Sequence, residues 1–373
     1  MISYGRQWID KADIKAVTQV LESDWLTQGP KINKFEQKLA RYCGAKYAVA
    51  VSSGTAALHL AYLVAGLRAG DEVICSPNTF VATTNMLLVV GAKPVFCDIR
   101  LDTYNLDEQK VEKLISKKTK AIVPVHFSGQ PCEMNTILRI AKKHHLLVIE
   151  DAAHALGARY QGEKIGSLSS DMCIFSFHPV KSITTGEGGA VLTNNSRHYK
   201  KLLSLRSHGI HKNKLGKNVM TDLGFNYRLT DFQSALGISQ LRKLGRFLKD
   251  RHSVVQWYEQ ELNSLNQVIL PRELPRNYSS WHLYVVRVKN PKLRDRLYKF
   301  LRRRGIGVNF HYPAVYSHPY YRRHGFAAFA LPNTEIYQKS CLTLPCYPTL
   351  ARSQIRYISR TIKSFFRSYE RTA

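Results

Sequence analysis

Apolar residues along this chain come in short runs separated by longer amphipathic stretches, beginning near residue 45. Tyr47-Ala48-Val49-Ala50-Val51 is a continuous run of strand length, and residues 55–67 carry a helical period that ends near Gly70. The alternation then repeats, predicting strand over 72–76, helix over 80–90 stopped by Gly91, and strand over 93–97. Helix over 107–115, strand over 121–125, helix over 133–143 and strand over 146–149 complete the series. Strands alternating with helices of this length imply an α/β fold with a mostly parallel sheet covered on both faces. Such sheets gather their sites at the carboxyl ends of the strands. Further on, Thr230-Asp231-Phe232-Gln233 has capping-box spacing and opens a long helical pattern. The expected division is a large domain over 1–245 and a smaller C-terminal α/β domain over 246–373, the latter containing a strand-like run at 282–288.

Composition narrows the class. The chain has 373 residues, 44% of them hydrophobic and 22% charged, enough for a sizeable core. No apolar run approaches the roughly 20 residues that span a bilayer, and the N-terminus lacks a signal-like apolar segment, so no membrane span and a cytoplasmic location are expected. Seven cysteines (Cys43, Cys75, Cys97, Cys132, Cys173, Cys341, Cys346) form no Cys-x-x-Cys pair, which argues against a disulfide framework and against a metal site. The net charge of +28 is the unusual feature. It concentrates late, from Lys292 to Arg304 and in a stripe at helical spacing, Arg352, Arg356, Arg360, Lys363, Arg367 and Arg371. No recognition helix, RNP motif or zinc finger accompanies it. The stripe therefore reads first as a solvated helix face, and nucleic-acid binding is not expected as the main function.

Two segments carry candidate chemistry: Glu150-Asp151-Ala152-Ala153-His154, and Phe175-Ser176-Phe177-His178-Pro179-Val180-Lys181 followed by Gly186-Glu187-Gly188-Gly189. Each lies where a strand-like run gives out. Alone, Asp151 is an ordinary helix cap and Lys181 a surface lysine. Together they are what pyridoxal phosphate chemistry needs, a lysine to hold the aldehyde as a Schiff base and an acid to keep the pyridine nitrogen protonated. Ser52-Ser53-Gly54-Thr55 joins a strand to a helix, where free amides and the Thr55 hydroxyl can cradle a phosphate. Ser176 can donate to the same phosphate, and Phe80 can stack on the ring.

These segments, with Trp25-Leu26-Thr27-Gln28-Gly29, Ser53-Gly54-Thr55-Ala56-Ala57-Leu58, Gly224-Phe225-Asn226-Tyr227-Arg228-Leu229-Thr230-Asp231 and His311-Tyr312-Pro313, resemble the sugar-nucleotide aminotransferases of the DegT/DnrJ/EryC1/StrS family. The resemblance covers nearly the whole chain and implies the fold-type I, aspartate aminotransferase-like architecture with pyridoxal 5′-phosphate as cofactor. It implies Lys181 as the covalent anchor and base, Asp151 at the pyridine nitrogen, His154 beside the ring near its phenolic oxygen, and Thr55, Ala56 and Ser176 at the phosphate. Family members lend an asparagine from a second subunit, matched by Asn226, which implies a homodimer with shared sites. Leu26, Thr27, Arg228, His311 and Tyr312 are the matching candidates for substrate contacts. An intact lysine favours transamination over deoxygenation, with L-glutamate as amino donor, and histidine at 154 resembles enzymes acting on carbon 4. Leu26-Thr27-Gln28-Gly29, the stretch from Phe177 to Thr185, Asn226-Tyr227-Arg228-Leu229 and Leu344-Pro345-Cys346 resemble the pseudaminic acid branch, whose substrate is UDP-2-acetamido-2,6-dideoxy-β-L-arabino-hexos-4-ulose. The Ser-Phe-His-x-x-Lys-x-Ile-Thr core is shared with the UDP-4-keto-arabinose branch. The alternative is thus another 4-keto nucleotide sugar of lipopolysaccharide or O-antigen biosynthesis, including dTDP- or GDP-4-keto-6-deoxyhexoses.

Overall fold

The computed structural model describes residues 1–326 and 331–370, so Arg371 of the basic stripe lies outside the described residues. Its centre is a seven-stranded sheet of β1 (Tyr47–Val51), β2 (Glu72–Cys75), β3 (Lys93–Phe96), β4 (Thr119–Val123), β5 (Leu147–Asp151), β6 (Met172–Ser176) and β7 (Gly189–Thr193). The spatial order is β1-β7-β6-β5-β4-β2-β3. Strands from β3 through β6 run parallel, whereas β7 is antiparallel to both β6 and β1. Successive side chains leave opposite faces of a strand. Ile74, Ile122, Val148 and Phe175 accordingly enter one core, while Val73, Val123, Ile149 and Ile174 enter another. Burial on both faces is why these strands read as continuous apolar runs.

Several boundaries move for identifiable reasons. The helix expected over 55–67 is Gly54–Val64. It ends in a Schellman arrangement: Gly66 is left-handed (φ 70°), its N–H donates to Leu63 O, and the Leu67 N–H donates to Tyr62 O. The strand expected over 121–125 is Thr119–Val123, because Pro124 has no N–H to give the ladder. The helix expected over 80–90 is Ala82–Val89, leaving Phe80 in the preceding turn. The helix expected over 107–115 is a single α turn, Glu108–Val111, tightening into a 3-10 turn over Glu112–Leu114. Tyr284–Val288 is shorter than the strand expected over 282–288, which frees His282.

The capping box forms as its spacing predicts. Thr230 Oγ1 accepts the Gln233 N–H while Gln233 Oε1 accepts the Thr230 N–H, opening the 32-residue helix Asp231–Leu262. That helix contributes Ile238 to Leu248 to the first core, then Val254 to Leu262 to a third. The expected boundary near residue 245 falls within it. The third core is built on an antiparallel sheet of Val268–Ile269, Tyr284–Val288 and Cys341–Leu344, packed with the helices Pro291–Arg303 and Arg352–Glu370. All seven cysteines are buried and unpaired. Among the described residues, no helix is long and apolar enough to cross a membrane.

Candidate active site

β5 and β6 are parallel neighbours, with Asp151 beside Ile174. Asp151 therefore ends its strand at the wall of a cavity of about 630 Å³ over the carboxyl ends of the sheet. Its Oδ2 accepts the Thr83 hydroxyl at 2.6 Å and its Oδ1 accepts the Ala153 N–H at 3.2 Å. Each oxygen keeps capacity for a further donor. Lys181 lies beyond β6, in a turn where its N–H donates to His178 O at 2.9 Å. Burial pulls its ammonium down to about 8, with Asp151 opposing through space. Among the described residues no ion pair closes between them, so the carboxylate and the amine face the cavity across a gap.

At the other end of the cavity, Ser53 caps the helix Gly54–Val64 by accepting the Ala56 N–H at 3.0 Å. The Ala56 amide, expected to hold phosphate, is thus already engaged, and Ala56 does not line the cavity. Gly54 and Thr55 do line it, and their amides have no intrahelical partner. A Cβ at Gly54 would stand 3.0 Å from Ser176 Cβ, and one at Gly189 only 2.5 Å from Ser53 O. Glycine at both positions lets β6 and β7 close on the helix start and leaves a bare cradle of amides and hydroxyls.

Of the histidines lining the same cavity, His154, His282 and His311 are each held well below the ordinary imidazole range by burial first and by the Lys181 charge next; for His311 the value falls to about 3. The His154 and His282 rings are 4.4 Å apart. The Ser128 N–H donates to His154 Nδ1 at 3.2 Å, so neutral His154 carries its proton on Nε2, which lies 3.3 Å from the Tyr312 hydroxyl. Ser128 does this from a left-handed backbone (φ 62°), held by its own hydroxyl donating to Leu283 O at 2.6 Å. Behind the lysine turn lies the fully buried Arg251. Its guanidinium donates to Cys346 O at 2.8 Å, Trp281 O at 3.0 Å and His282 O at 3.3 Å, and reaches Val180 O at 3.5 Å.

Of the candidates from the sequence, Thr55, Phe80, Asp151, His154, Ser176, Lys181, His311 and Tyr312 meet in this cavity. Leu26, Thr27, Asn226 and Arg228 do not line it. They gather at the start of the long helix instead: Thr27 bridges Thr230, Arg228 bridges Val51, Asn226 bridges Ser207, and Leu26 O accepts the Asp231 N–H. Thr83, Ser128, His282 and Arg251 are not singled out by the sequence pattern. A Thr79-x-x-x-Thr83 pair at helical spacing hinted at the first, and the alternation of His282 with Tyr284 and Val286 at the third; Ser128 and Arg251 left no local trace.

A model of the DegT/DnrJ/EryC1/StrS aminotransferase family matches residues 7–363. The chain belongs to this family. Aminotransferases of the DegT/DnrJ/EryC1/StrS family depend on pyridoxal 5′-phosphate, and this chain is a sugar aminotransferase of that kind. A UDP-4-amino-4,6-dideoxy-N-acetyl-beta-L-altrosamine transaminase of Campylobacter jejuni is 40% identical over 370 residues, covering 98% of this chain and 97% of its own. The Helicobacter pylori aminotransferase PseC, involved in the biosynthesis of pseudoaminic acid, superposes with a TM-score of 0.94 at 35% identity, over 98% of this chain and 99% of its own. The putative sugar aminotransferase Spr1654 of Streptococcus pneumoniae in its PLP-form gives a TM-score of 0.93 at 30% identity, over 97% and 98% of the two chains. The residues on hand fit the family's cofactor. The Gly54–Ser176 cradle suits a phosphate, Asp151 retains an acceptor for a ring N–H, and the gap before Lys181 has no ion pair to break.

Proposed function

We propose that this enzyme moves the amino group of L-glutamate to carbon 4 of a UDP-linked 4-keto-6-deoxy sugar, UDP-2-acetamido-2,6-dideoxy-β-L-arabino-hexos-4-ulose. The observation that carries the site is the open approach between Asp151 and Lys181 in one cavity, with the glycine-lined cradle beside it. The choice of sugar is supported by the Campylobacter jejuni transaminase, whose name places an amino group on carbon 4 of a 6-deoxy N-acetyl sugar.

When bound, pyridoxal phosphate supplies a ring that accepts the electrons freed as the donor's α-proton leaves. Asp151, oriented by Thr83 and Ala153, holds a proton at the ring nitrogen. The Gly54 and Thr55 amides and Ser176 bind the phosphate and fix the ring's position. Lys181 would hold the cofactor's aldehyde, and as a free amine it would take the donor's α-proton and hand it on; its lowered value leaves more of it unprotonated near neutrality. His154 is a neutral hydrogen-bond donor through Nε2, oriented by Ser128, and Tyr312 closes the wall beyond it. With glutamate's carbon skeleton released as 2-oxoglutarate, Lys181 would return a proton to carbon 4 of the keto sugar as that carbon gains the amino group.

The active unit is proposed as a homodimer in which Asn226, Arg228, Leu26 and Thr27 serve the neighbour's cavity. Supporting this, Trp25, Leu26, Leu215, Met220 and Leu223 expose about half or more of their apolar surface around those positions. Incubation with glutamate and a panel of 4-keto nucleotide sugars tests the substrate. Turnover of the acetamido-dideoxy ketone with parallel lines in initial-rate plots is expected; turnover of the arabinose-derived ketone alone would overturn the assignment.

A further inference from the structure

The catalytic cavity leaves the basic stripe unexplained, and its placement in the fold is specific. The helices Pro291–Arg303 and Arg352–Glu370 bury one side each in a single core, through Leu293, Leu297 and Leu301 on the first and Ile355, Ile358 and Ile362 on the second. Phe300 and Phe365 meet edge to face across the seam, 5.2 Å between centroids. On the outer side, the Tyr357 hydroxyl donates to Arg304 O at 3.0 Å, joining the end of the first helix to the middle of the second. Both helices thus turn exposed cations away from this core: Arg302, Arg303 and Arg304 at the end of the first, and Arg356, Arg360 and Arg367 along the second.

Little neutralises them. Arg356 reaches Glu261 at 3.6 Å, and Asp295 is taken by Arg294. Among the described side chains, no carboxylate lies within ion-pair distance of Arg302, Arg303, Arg304, Arg360 or Arg367. Arg304 lies over the Phe300 ring, 3.4 Å from its centroid, so its stem and plane rest on the surface with the charge outward. None of these residues lines the catalytic cavity.

We propose that this two-helix face is a docking surface for an anionic phospholipid bilayer, holding the enzyme at the membrane by charge without insertion. Charge complementarity selects the occupant. Each basic side chain near an anionic leaflet strengthens association by about fivefold, and no shaped groove is needed. Nucleic acid fits less well. Tyr357 is the one half-exposed aromatic on this face among the described residues, so there is no stacking platform for bases, and both helices keep their apolar sides in the core, so neither is free to enter a groove.

Co-sedimentation of the holoenzyme with vesicles of equal parts phosphatidylglycerol and phosphatidylcholine tests this. Binding is expected at low salt, release at about 1 M salt, where screening acts over about 3 Å, and no binding to phosphatidylcholine alone. The combined variant Arg302→Glu, Arg303→Glu, Arg360→Glu, Arg367→Glu should lose at least a hundredfold in vesicle affinity while keeping transamination. A Gln set at the same positions should show a smaller loss and guards against misfolding of the first. Equal binding to neutral vesicles, undiminished binding by both active variants, or displacement from vesicles by substoichiometric duplex DNA would each overturn the proposal.

Discussion

The role proposed for Lys181 as a base near neutrality rests on surroundings that withhold water from its ammonium. Its value falls from 10.5 to about 8 through burial, against the pull of Asp151. The rate at which cofactor-free protein takes up pyridoxal phosphate should therefore climb with pH through a midpoint near 8; a midpoint near 10.5, followed by the absorbance of the bound cofactor, would contradict it. The same shift fixes a stability trend. Between about 8 and 10.5 the unfolded chain holds the proton and the folded chain has shed it, so cofactor-free stability from this group rises with pH across that window, and Lys181→Met should flatten it in urea titrations. Thr83 is the second residue-scale case. Its hydroxyl serves a carboxylate, a bond of roughly 1.5–3 kcal/mol. Thr83→Val should lower kcat by about tenfold or more, Thr83→Ser should restore most of it, and KM for the sugar should move little in either.

At the scale of elements, the decisive contacts are those that permit no side chain. Gly189→Ala would drive a Cβ to 2.5 Å from Ser53 O, so the start of β7 and the helix N-terminus must separate. A loss of roughly 1–3 kcal/mol in the thermal or urea unfolding of the cofactor-free protein is expected, with weaker cofactor retention on dialysis. The strand–helix alternation up to residue 151 was legible because strands buried on both faces are unbroken apolar runs. So was the capping box at Thr230. Ends were less legible: Pro124, Gly66 and the turn holding Phe80 act through hydrogen-bond geometry that hydrophobic period does not report. Asp151 and Lys181 were legible because they flank strand ends. Ser128 and Arg251 were not, since each acts through backbone groups, an N–H in one case and carbonyls in the other, that every residue possesses.

At the scale of the molecule, eight of the candidates share one cavity while Leu26, Thr27, Asn226 and Arg228 lie outside it, a division invisible in a linear chain. If those four serve a second copy, mixing Lys181→Ala protomers with Asn226→Asp protomers should regenerate activity, since one site of each mixed dimer holds both native residues. About a quarter of native turnover is expected after subunit exchange, and none if every site is built from a single chain.

The fully buried guanidinium of Arg251 bears on motion. It ties the backbone just before the lysine to segments around residues 281 and 346, and each of these carbonyls would lose its donor together if that cation withdrew. Opening there cannot proceed by gradual fraying, because a cation half removed from its acceptors is still unhydrated. Amide exchange around 180, 281 and 346 should consequently occur as one concerted event, and Arg251→Lys, with its single point charge, should let the three segments exchange separately.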